Sequence, residues 1–184
     1  LMQRMPSGAM LSVGLSTDDI EPWLSDEITL SVSNGPALCV VSGREDAVDS
    51  LQARLEEETI SCQRLHTSHA FHSPMMEEAI APFTKAVSQA LSQGQLHPPT
   101  LPFISDVTGT WITPEESTSP EYWGRHLRQT VCFSEGIQTL LQLNEPVFLE
   151  IGPGNILTKL AKQHFTSSDS SLVISSLPHP KSAE

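Results

Sequence analysis

The order of apolar segments in the first 65 residues constrains the fold of this chain more than any other feature. Segments 29–33 and 37–41 flank an Asn-Gly-Pro turn, which is a strong hairpin signal. An apolar strand at 9–15 precedes this hairpin, and a last strand at 61–65 follows it. A short helix fits after the first strand and a longer one after the hairpin, which gives the order β-α-β-β-α-β. This order predicts a ferredoxin-like unit, which many unrelated proteins share.

Capping residues indicate where the two helices of this unit begin. Ser16 or Thr17 can cap the first helix, because a hydroxyl there accepts a hydrogen bond from a free backbone N–H. Ser42, followed at the third position by Glu45, has the spacing of a capping box for the second helix. We therefore expect Ser42 to lie at a helix N-terminus.

After residue 66 the pattern changes to helices that alternate with short strands. Ser73 and Pro74 are typical of a helix start, and Pro120 is typical of another. Segment 103–107 predicts a strand, and the apolar run at 147–151 has the profile of a buried parallel strand. This part of the chain is therefore predicted to be α/β.

These patterns divide the chain into three parts within an α/β fold class. We predict a ferredoxin-like small subdomain at 8–66 and part of a larger body at 67–165. The Ser-rich and Pro-containing stretch at 166–184 is predicted to be a post-domain linker, in which residues 172–174 have the pattern of a strand.

Charge and cysteine content exclude several classes of function. Ten basic residues against 22 acidic ones leave a net charge of −12, so no nucleic acid is expected as a partner. No apolar run approaches the length of a membrane span, so no membrane partner is expected either. The three cysteines are odd in number and widely spaced, which predicts free thiols in a cytoplasmic protein.

The densest group of reactive side chains consists of His66, His69, His72 and Ser73. One interpretation is structural, with Ser73 as a helix cap. A second is metal binding, because histidines three residues apart with Cys62 upstream are ligands that zinc accepts. A third is acyl transfer, in which one histidine is the general base for a nucleophile from another segment. The residues alone leave all three open.

The segment His69-Ala70-Phe71-His72-Ser73 resembles the His-Ala-Phe-His segment of polyketide synthase acyltransferase domains that load malonyl units. Further segments are similar to that family and follow its order over nearly the whole chain. They are segments 1–6, 8–10, 34–36, 41–43, 122–123, 125–128, 148–154 and 177–180. An ordered set of this kind is stronger evidence of a relationship than the pentapeptide alone.

The resemblance implies an α/β-hydrolase-like large subdomain that carries the ferredoxin-like unit as an insert. It implies a serine that attacks the thioester of malonyl-coenzyme A and passes the malonyl group to the phosphopantetheine thiol of an acyl carrier protein. No tightly bound cofactor is implied. The implied partners are that carrier protein and neighbouring synthase domains such as the ketosynthase.

The resemblance also implies roles for four residues. His72 takes the position of the general base, and His69 with Phe71 takes the position of the acyl pocket. His126 falls where the family places a backbone carbonyl that orients the catalytic imidazole. Phe71 is typical of malonyl-loading rather than methylmalonyl-loading relatives, which have a serine there.

The chain departs from the family pattern at two places. It contains no Gly-His-Ser-x-Gly elbow, so the resemblance places the nucleophile in a missing N-terminal part of the same domain. We therefore expect this chain alone to be inactive, to leave a free edge on the larger body, and to aggregate or bind a complementing piece. Residues 130–133 read Thr-Val-Cys-Phe where the family usually has Pro-Val-Arg-Phe. The alternative function is a non-catalytic module that docks a carrier protein or a neighbouring domain.

Overall fold

The computed structural model describes residues 1–166 and 172–178. The strands are β1 (Ala9–Val13), β2 (Ile28–Gly35), β3 (Leu38–Gly43), β4 (Cys62–Arg64), β5 (Val131–Cys132), β6 (Val147–Pro153) and β7 (Leu172–Leu177). The helices are α1 (Thr17–Ile20), α2 (Glu45–Glu57), α3 (Glu77–Ser92), α4 (Pro114–Ser117), α5 (Pro120–Arg128), α6 (Phe133–Leu140) and α7 (Ile156–Lys162). Short 3₁₀ turns lie at Met2–Arg4, Glu21–Trp23 and Pro74–Met76.

The first four strands form an antiparallel sheet in the order β4-β1-β3-β2, with α1 after β1 and α2 after β3. This arrangement confirms the predicted ferredoxin-like unit. Its core consists of inward-facing residues of the sheet and one face of α2, where Val48, Leu51 and Leu55 are fully buried. Their spacing follows the helical period, which is why the sequence pattern predicts this helix well.

One of the two predicted caps is confirmed and the other is wrong. Ser16 caps α1, since its Oγ accepts a hydrogen bond from the Asp19 N–H at 3.1 Å. Ser42 does not cap α2; the N-cap residue is Arg44, and Ser42 is a fully buried residue of β3. The strand continues past the capping signal because the Ser42 hydroxyl has a different partner, which is described below.

A fifth strand, which the sequence did not predict, joins the sheet. Strand β5 pairs in parallel with β2 through Val32 opposite Val131 and Ser33 opposite Cys132. It connects α5 to α6, so the larger body is attached directly to an edge of the small sheet.

The predicted strand at 103–107 is wrong, because only an isolated bridge joins Ile104 and Trp111 there. The Ser105 side chain explains the difference. Its Oγ accepts hydrogen bonds from the N–H groups of Val107 and Thr108, each at 3.2 Å, and its carbonyl accepts from Gly109 N at 2.8 Å. A serine that bonds its own following backbone favours a turn over a sheet ladder.

Strands β6 and β7 form a separate parallel pair. The parallel direction agrees with the prediction, but the prediction that this strand is buried is wrong. Val147, Leu149 and Ile151 expose 65%, 55% and 85% of their surface. Leu172 and Ile174 of β7 lie opposite Val147 and Leu149 and are also exposed. We call these five residues the open face.

Strand β7 confirms the strand predicted at 172–174 within the linker stretch and extends it to Leu177, and residues 179–184 lie outside the described part of the chain. No helix among the described residues is long and apolar enough to cross a membrane.

Candidate active site

The histidine-rich segment at 66–73 forms the loop between β4 and the turn that leads into α3. Two fully buried residues, Ala70 and Ser73, anchor it. Ser73 Oγ donates a hydrogen bond to the Ala70 carbonyl at 2.6 Å and accepts one from Met75 N at 3.2 Å. Ser73 therefore caps the helical turn, as predicted, and also closes the loop that precedes it.

A close backbone approach holds the loop from the other side. Gly8 N donates to the Ser68 carbonyl at 3.2 Å. A Cβ atom at Gly8 would lie 2.8 Å from the Ala70 Cβ, which real side chains do not tolerate. Glycine is therefore required at position 8 if the loop is to keep its place.

His72 has an unusual backbone conformation and a specific side-chain contact. Its φ angle is 56°, in the left-handed region, where a non-glycine residue costs about 1–3 kcal/mol. Its Nδ1 atom lies 2.9 Å from the backbone carbonyl oxygen of Gln129. A carbonyl oxygen only accepts hydrogen bonds, so Nδ1 carries the proton and the Nε2 lone pair of neutral His72 is free to take up another. This arrangement is suited to a general base.

The surroundings of His72 lower the pKa of its imidazole below the ordinary value. Burial contributes most, because it disfavours the charged form. The Gln129 carbonyl opposes this effect by stabilising the protonated ring, and the nearby His126 reinforces it by repulsion. Smaller opposing contributions come from the charge of Asp106 and from the His126 backbone. The lowered pKa keeps His72 neutral, and so basic, at pH 7.

His126 lies on α5 beside His72, with the two ring centroids 6.4 Å apart and nearly perpendicular. Its Nε2 is 3.5 Å from a carboxylate oxygen of Asp106, and its ring also contacts that of Trp123 at 5.7 Å. The Gln129 carbonyl orients the His72 ring at the 2.9 Å distance given above. A backbone hydrogen bond with His126 also raises the pKa of His72, and the orienting role of His126 stays a prediction. The His126 backbone has only the smallest effect on the pKa of His72.

The two residues assigned to the acyl pocket are adjacent to one another. The rings of His69 and Phe71 have centroids 5.9 Å apart, and the His69 Nδ1 lies 2.7 Å from Ser68 Oγ. His66 is exposed. Across residues 1–166 and 172–178, no group of three or more His, Cys, Asp or Glu residues is placed to hold a metal ion.

An open cavity of about 470 Å³ lies between α3 and α5. Gln129, Arg128 and Glu77 line part of it, and Arg128 Nε is 3.5 Å from a Glu77 carboxylate oxygen. His72 is not among its lining residues.

Sequence reasoning missed three residues that contact the loop: Gln129, Ser31 and Ser42. Gln129 acts through its backbone carbonyl. Every residue type has this group, so the sequence gives no signal for it. Ser31 carries no motif, and the signal at Ser42 favoured a helix cap. No polar–apolar alternation marks residue 42, because residues 39–42 are all buried, so the sequence held no signal that placed its hydroxyl in the sheet.

The sequence model of the family described as "Acyl transferase domain" matches residues 1–182. A similar protein is a phenolphthiocerol/phthiocerol polyketide synthase of Mycobacterium tuberculosis, 33% identical over 180 residues. Another is the spectinabilin polyketide synthase system protein NorB of Streptomyces orinoci, 37% identical over 166 residues. These matches cover 98% and 88% of this chain but only 12% and 8% of the two relatives.

Solved structures show the same relationship. The acyl transferase domain of SpnD, in complex with 2-(pent-4-yn-1-yl)malonyl, superposes with a TM-score of 0.87 at 33% identity. The match covers 95% of this chain and 42% of that one. FabD from Acinetobacter baumannii superposes with a TM-score of 0.81 at 23% identity, over 95% of this chain and 56% of that one. At that identity the likeness to FabD shows the fold alone.

Proposed function

Because this chain belongs to the acyl transferase domain family, we propose that it is the base-bearing part of a polyketide synthase domain that transfers malonyl groups. The substrate is malonyl-coenzyme A, and the acceptor is the phosphopantetheine thiol of an acyl carrier protein. The nucleophile is a serine that lies outside this chain, and this chain alone is inactive. Free cysteines at positions 39, 62 and 132 suit the reducing cytoplasm in which we place this chemistry.

The reaction proceeds in two half-reactions that use the same imidazole. In the first, His72 Nε2 takes the proton of the serine hydroxyl while the serine oxygen attacks the thioester carbonyl. The imidazolium then returns that proton to the departing coenzyme A sulfur, which leaves a malonyl-serine. In the second, His72 takes the proton of the carrier thiol, the sulfur attacks the ester, and the proton returns to the serine oxygen. Both halves balance without a cofactor.

The Gln129 carbonyl has a defined part in each proton transfer. It accepts from Nδ1–H, so its partial negative charge stabilises the imidazolium that forms when Nε2 is protonated. It also fixes the tautomer that leaves Nε2 free. The ring of His126, which is paired with Asp106, lies beside the ring of His72. We assign His126 to positioning His72 rather than to proton transfer.

We propose that His69 and Phe71 line the pocket for the acyl group. Their rings lie next to one another and belong to the loop that carries His72, which supports this assignment. A bulky Phe71 leaves less room for a branch at the α carbon, and this favours malonyl over methylmalonyl.

The observation that carries the proposal is the His72–Gln129 contact within a chain of this family. The test combines the chain with a segment that carries a Gly-His-Ser-x-Gly elbow and measures transfer from radiolabelled malonyl-coenzyme A to a carrier protein. We expect turnover only from the combination, and we expect His72→Ala to reduce kcat by about 10²–10⁴-fold.

His66→Ala is the matched control, since His66 is an exposed histidine of the same loop. It should leave kcat within about twofold, because general-base help is lost only when the base is removed. Acylation of the uncombined chain at one of its own serines would show that the nucleophile is misplaced. A combination that binds a carrier protein but never becomes acylated would favour the docking module instead.

A further inference from the structure

Two serines of the small sheet lie directly beneath the loop that carries His72. Ser31 on β2 and Ser42 on β3 are fully buried, and their hydroxyl oxygens are in hydrogen-bond contact. The β2–β3 pairing passes from Leu30 opposite Val41 to Val32 opposite Val40, so Ser31 is left without a partner in the ladder. An irregularity of this kind redirects a side chain, and such irregularities are frequent next to active sites.

The two hydroxyls reach the backbone on both sides of His72. Ser42 Oγ donates to the Phe71 carbonyl at 2.9 Å, and Ser31 Oγ lies 3.4 Å from the His72 carbonyl. Each hydroxyl has one proton, so Ser42 can donate to Phe71 while its own oxygen accepts from Ser31. No backbone N–H within residues 1–166 and 172–178 donates to either carbonyl. Ser42 therefore supplies the hydrogen bond of the Phe71 carbonyl, while the single Ser31 proton goes either to Ser42 Oγ or to the more distant His72 carbonyl.

These contacts act on the strained residue. The Phe71 carbonyl belongs to the peptide plane before His72, and the His72 carbonyl belongs to the plane after it. Ser42 holds the plane before His72 and Ser31 lies against the plane after it, so both restrain a residue whose φ of 56° a histidine rarely adopts without support. The serines add this restraint to the anchors that Gly8, Ala70 and Ser73 provide for the rest of the loop.

The segment that carries Gln129 is fastened to the same place. Thr130 Oγ1 donates to the Leu30 carbonyl at 2.8 Å, and the next residue, Val131, pairs with Val32 of β2. Adjacent residues of β2, Leu30 and Ser31, thus contact both the Gln129 segment and the His72 loop. The 2.9 Å distance between Nδ1 and the Gln129 carbonyl depends on both attachments.

We propose that Ser31, Ser42 and Thr130 are positioning residues that hold His72 and the Gln129 carbonyl in register. They set the Nδ1–H tautomer of His72 from within the small subdomain and do not touch the reacting atoms. The consequence for catalysis rests on the proposed function, because it matters only if His72 is the base. The effect on the tautomer of His72 does not depend on the proposed function.

The first test is nuclear magnetic resonance of the full chain with ¹⁵N-labelled histidine, which reports the tautomer of His72. The unsubstituted chain should hold neutral His72 as Nδ1–H. Ser42→Ala, Ser31→Ala with Ser42→Ala, and Thr130→Val should each shift it toward Nε2–H, the form that a free imidazole favours. Thr130→Val is nearly isosteric and removes only the hydroxyl, so it gives a result even if a buried serine variant does not fold.

Ser33→Ala is the matched control. Ser33 is another buried serine of β2, but its hydroxyl binds Glu135 Oε1 at 3.0 Å and not the loop. It should leave the His72 tautomer unchanged. A His72 tautomer that stays Nδ1–H in Ser42→Ala and in Thr130→Val would overturn the proposal, as would an equal shift in Ser33→Ala.

The second test measures kinetics in the domain completed with the elbow-bearing segment. Ser42→Ala and Thr130→Val should lower kcat on the order of 10- to 100-fold while the KM for malonyl-coenzyme A changes little. Ser33→Ala should keep both values. A shifted tautomer with unchanged kcat would support the positioning role and count against His72 as the base. Equal loss of kcat in all variants with no change of tautomer would mean that the serines act only on stability.

Discussion

The Nδ1 atom of His72 lies 2.9 Å from the carbonyl oxygen of Gln129, a residue 57 positions further along the chain. The contact joins the loop after the small sheet to the end of α5, so the imidazole is oriented only when both parts are folded. It uses a backbone acceptor where the triad of serine proteases uses a carboxylate. A neutral acceptor stabilises the imidazolium less than a charged one would, and this agrees with a pKa of His72 that burial keeps low.

The pH dependence of the completed domain should reflect that lowered pKa. Only neutral His72 is a base, so kcat/KM should fall as the pH drops through a value below the ordinary 6.5. His126→Gln removes a repulsive neighbour and frees Asp106, and both effects favour protonated His72. The acidic limb of the pH–rate profile should therefore move to higher pH in this variant. A limb that stays in place or moves to lower pH would contradict the assignment.

The same shift affects stability. The pKa of His72 is lower in the folded chain than in the unfolded chain, so the unfolded state binds more protons between the two values. The free energy of unfolding contributed by this group should decrease as the pH falls from the unfolded pKa through the folded one. Denaturant unfolding at several pH values checks this, with His72→Ala as the variant in which that slope should be smaller.

Acyl selectivity should depend on the ring at position 71. Replacing Phe71 by Ser, together with His69 by Tyr, opens space next to the α carbon and should admit a methyl branch. One methyl group in an apolar pocket is worth roughly 1–3 kcal/mol, or about 10–200-fold in relative kcat/KM. Competition between malonyl- and methylmalonyl-coenzyme A, with both acyl-enzyme and loaded carrier quantified, measures the ratio.

We expect mixed selectivity and some loss of rate in this double variant, because the replaced residues directly precede His72. Phe165→Leu is a control, since it trims an aromatic ring that contacts Phe148 far along the chain rather than the loop. An unsubstituted domain that accepts both substrates equally, or a double variant with an unmoved ratio, would show that these residues do not form the pocket.

Gly8→Ala should destabilise the chain. The added Cβ would approach the Ala70 Cβ to 2.8 Å and the Gly43 carbonyl oxygen to 2.9 Å, so the loop or the strand must move. Overpacking of this kind costs about 1–3 kcal/mol of the free energy of unfolding. Denaturant unfolding measures it, and Ser7→Ala at the exposed neighbouring position should be nearly neutral. An unchanged midpoint for Gly8→Ala would mean that the loop is not packed as described.

The open face predicts self-association of the isolated chain. Val147, Leu149 and Ile151 form one exposed apolar stripe on β6, and the exposed residues of β7 extend it. Apolar strands of this kind associate with other chains unless they are covered or charged. Leu149→Lys should reduce association, as measured by light scattering at increasing concentration. Leu143→Lys, at an exposed leucine outside the stripe, should have little effect.

The ferredoxin-like unit could be predicted because its signals are local. Helical spacing at Val48, Leu51 and Leu55, the hairpin signal whose turn falls at residues 36–37, and the Ser16 cap all depend on residues close in sequence. His72 could be found because its neighbours form a recognisable motif.

What could not be predicted depends on distant partners. Ser42 followed by Glu45 fits both a capping box and the end of a buried strand. The strand forms because the Ser42 hydroxyl donates a hydrogen bond to the loop above the sheet. The turn at Ser105 overrides an apolar run because one hydroxyl accepts two backbone N–H groups. The role of the Gln129 carbonyl and the parallel pairing of β5 with β2 involve backbone groups, so they cannot be recognised from residue types.

The hydrogen bonds from Ser42 to Phe71 and from Thr130 to Leu30 also determine which stretches of sequence can be exchanged between related domains. A graft limited to the histidine loop would place the backbone of one domain on the serines and the threonine of another. The hydrogen bonds of those side chains fit the original loop and not the grafted one. A chimera that takes residues 28–43 and 129–132 along with the loop transfers the whole contact set. The set of residues that would have to be exchanged together with the loop is therefore discontinuous in the sequence, although it is a single contiguous patch in space.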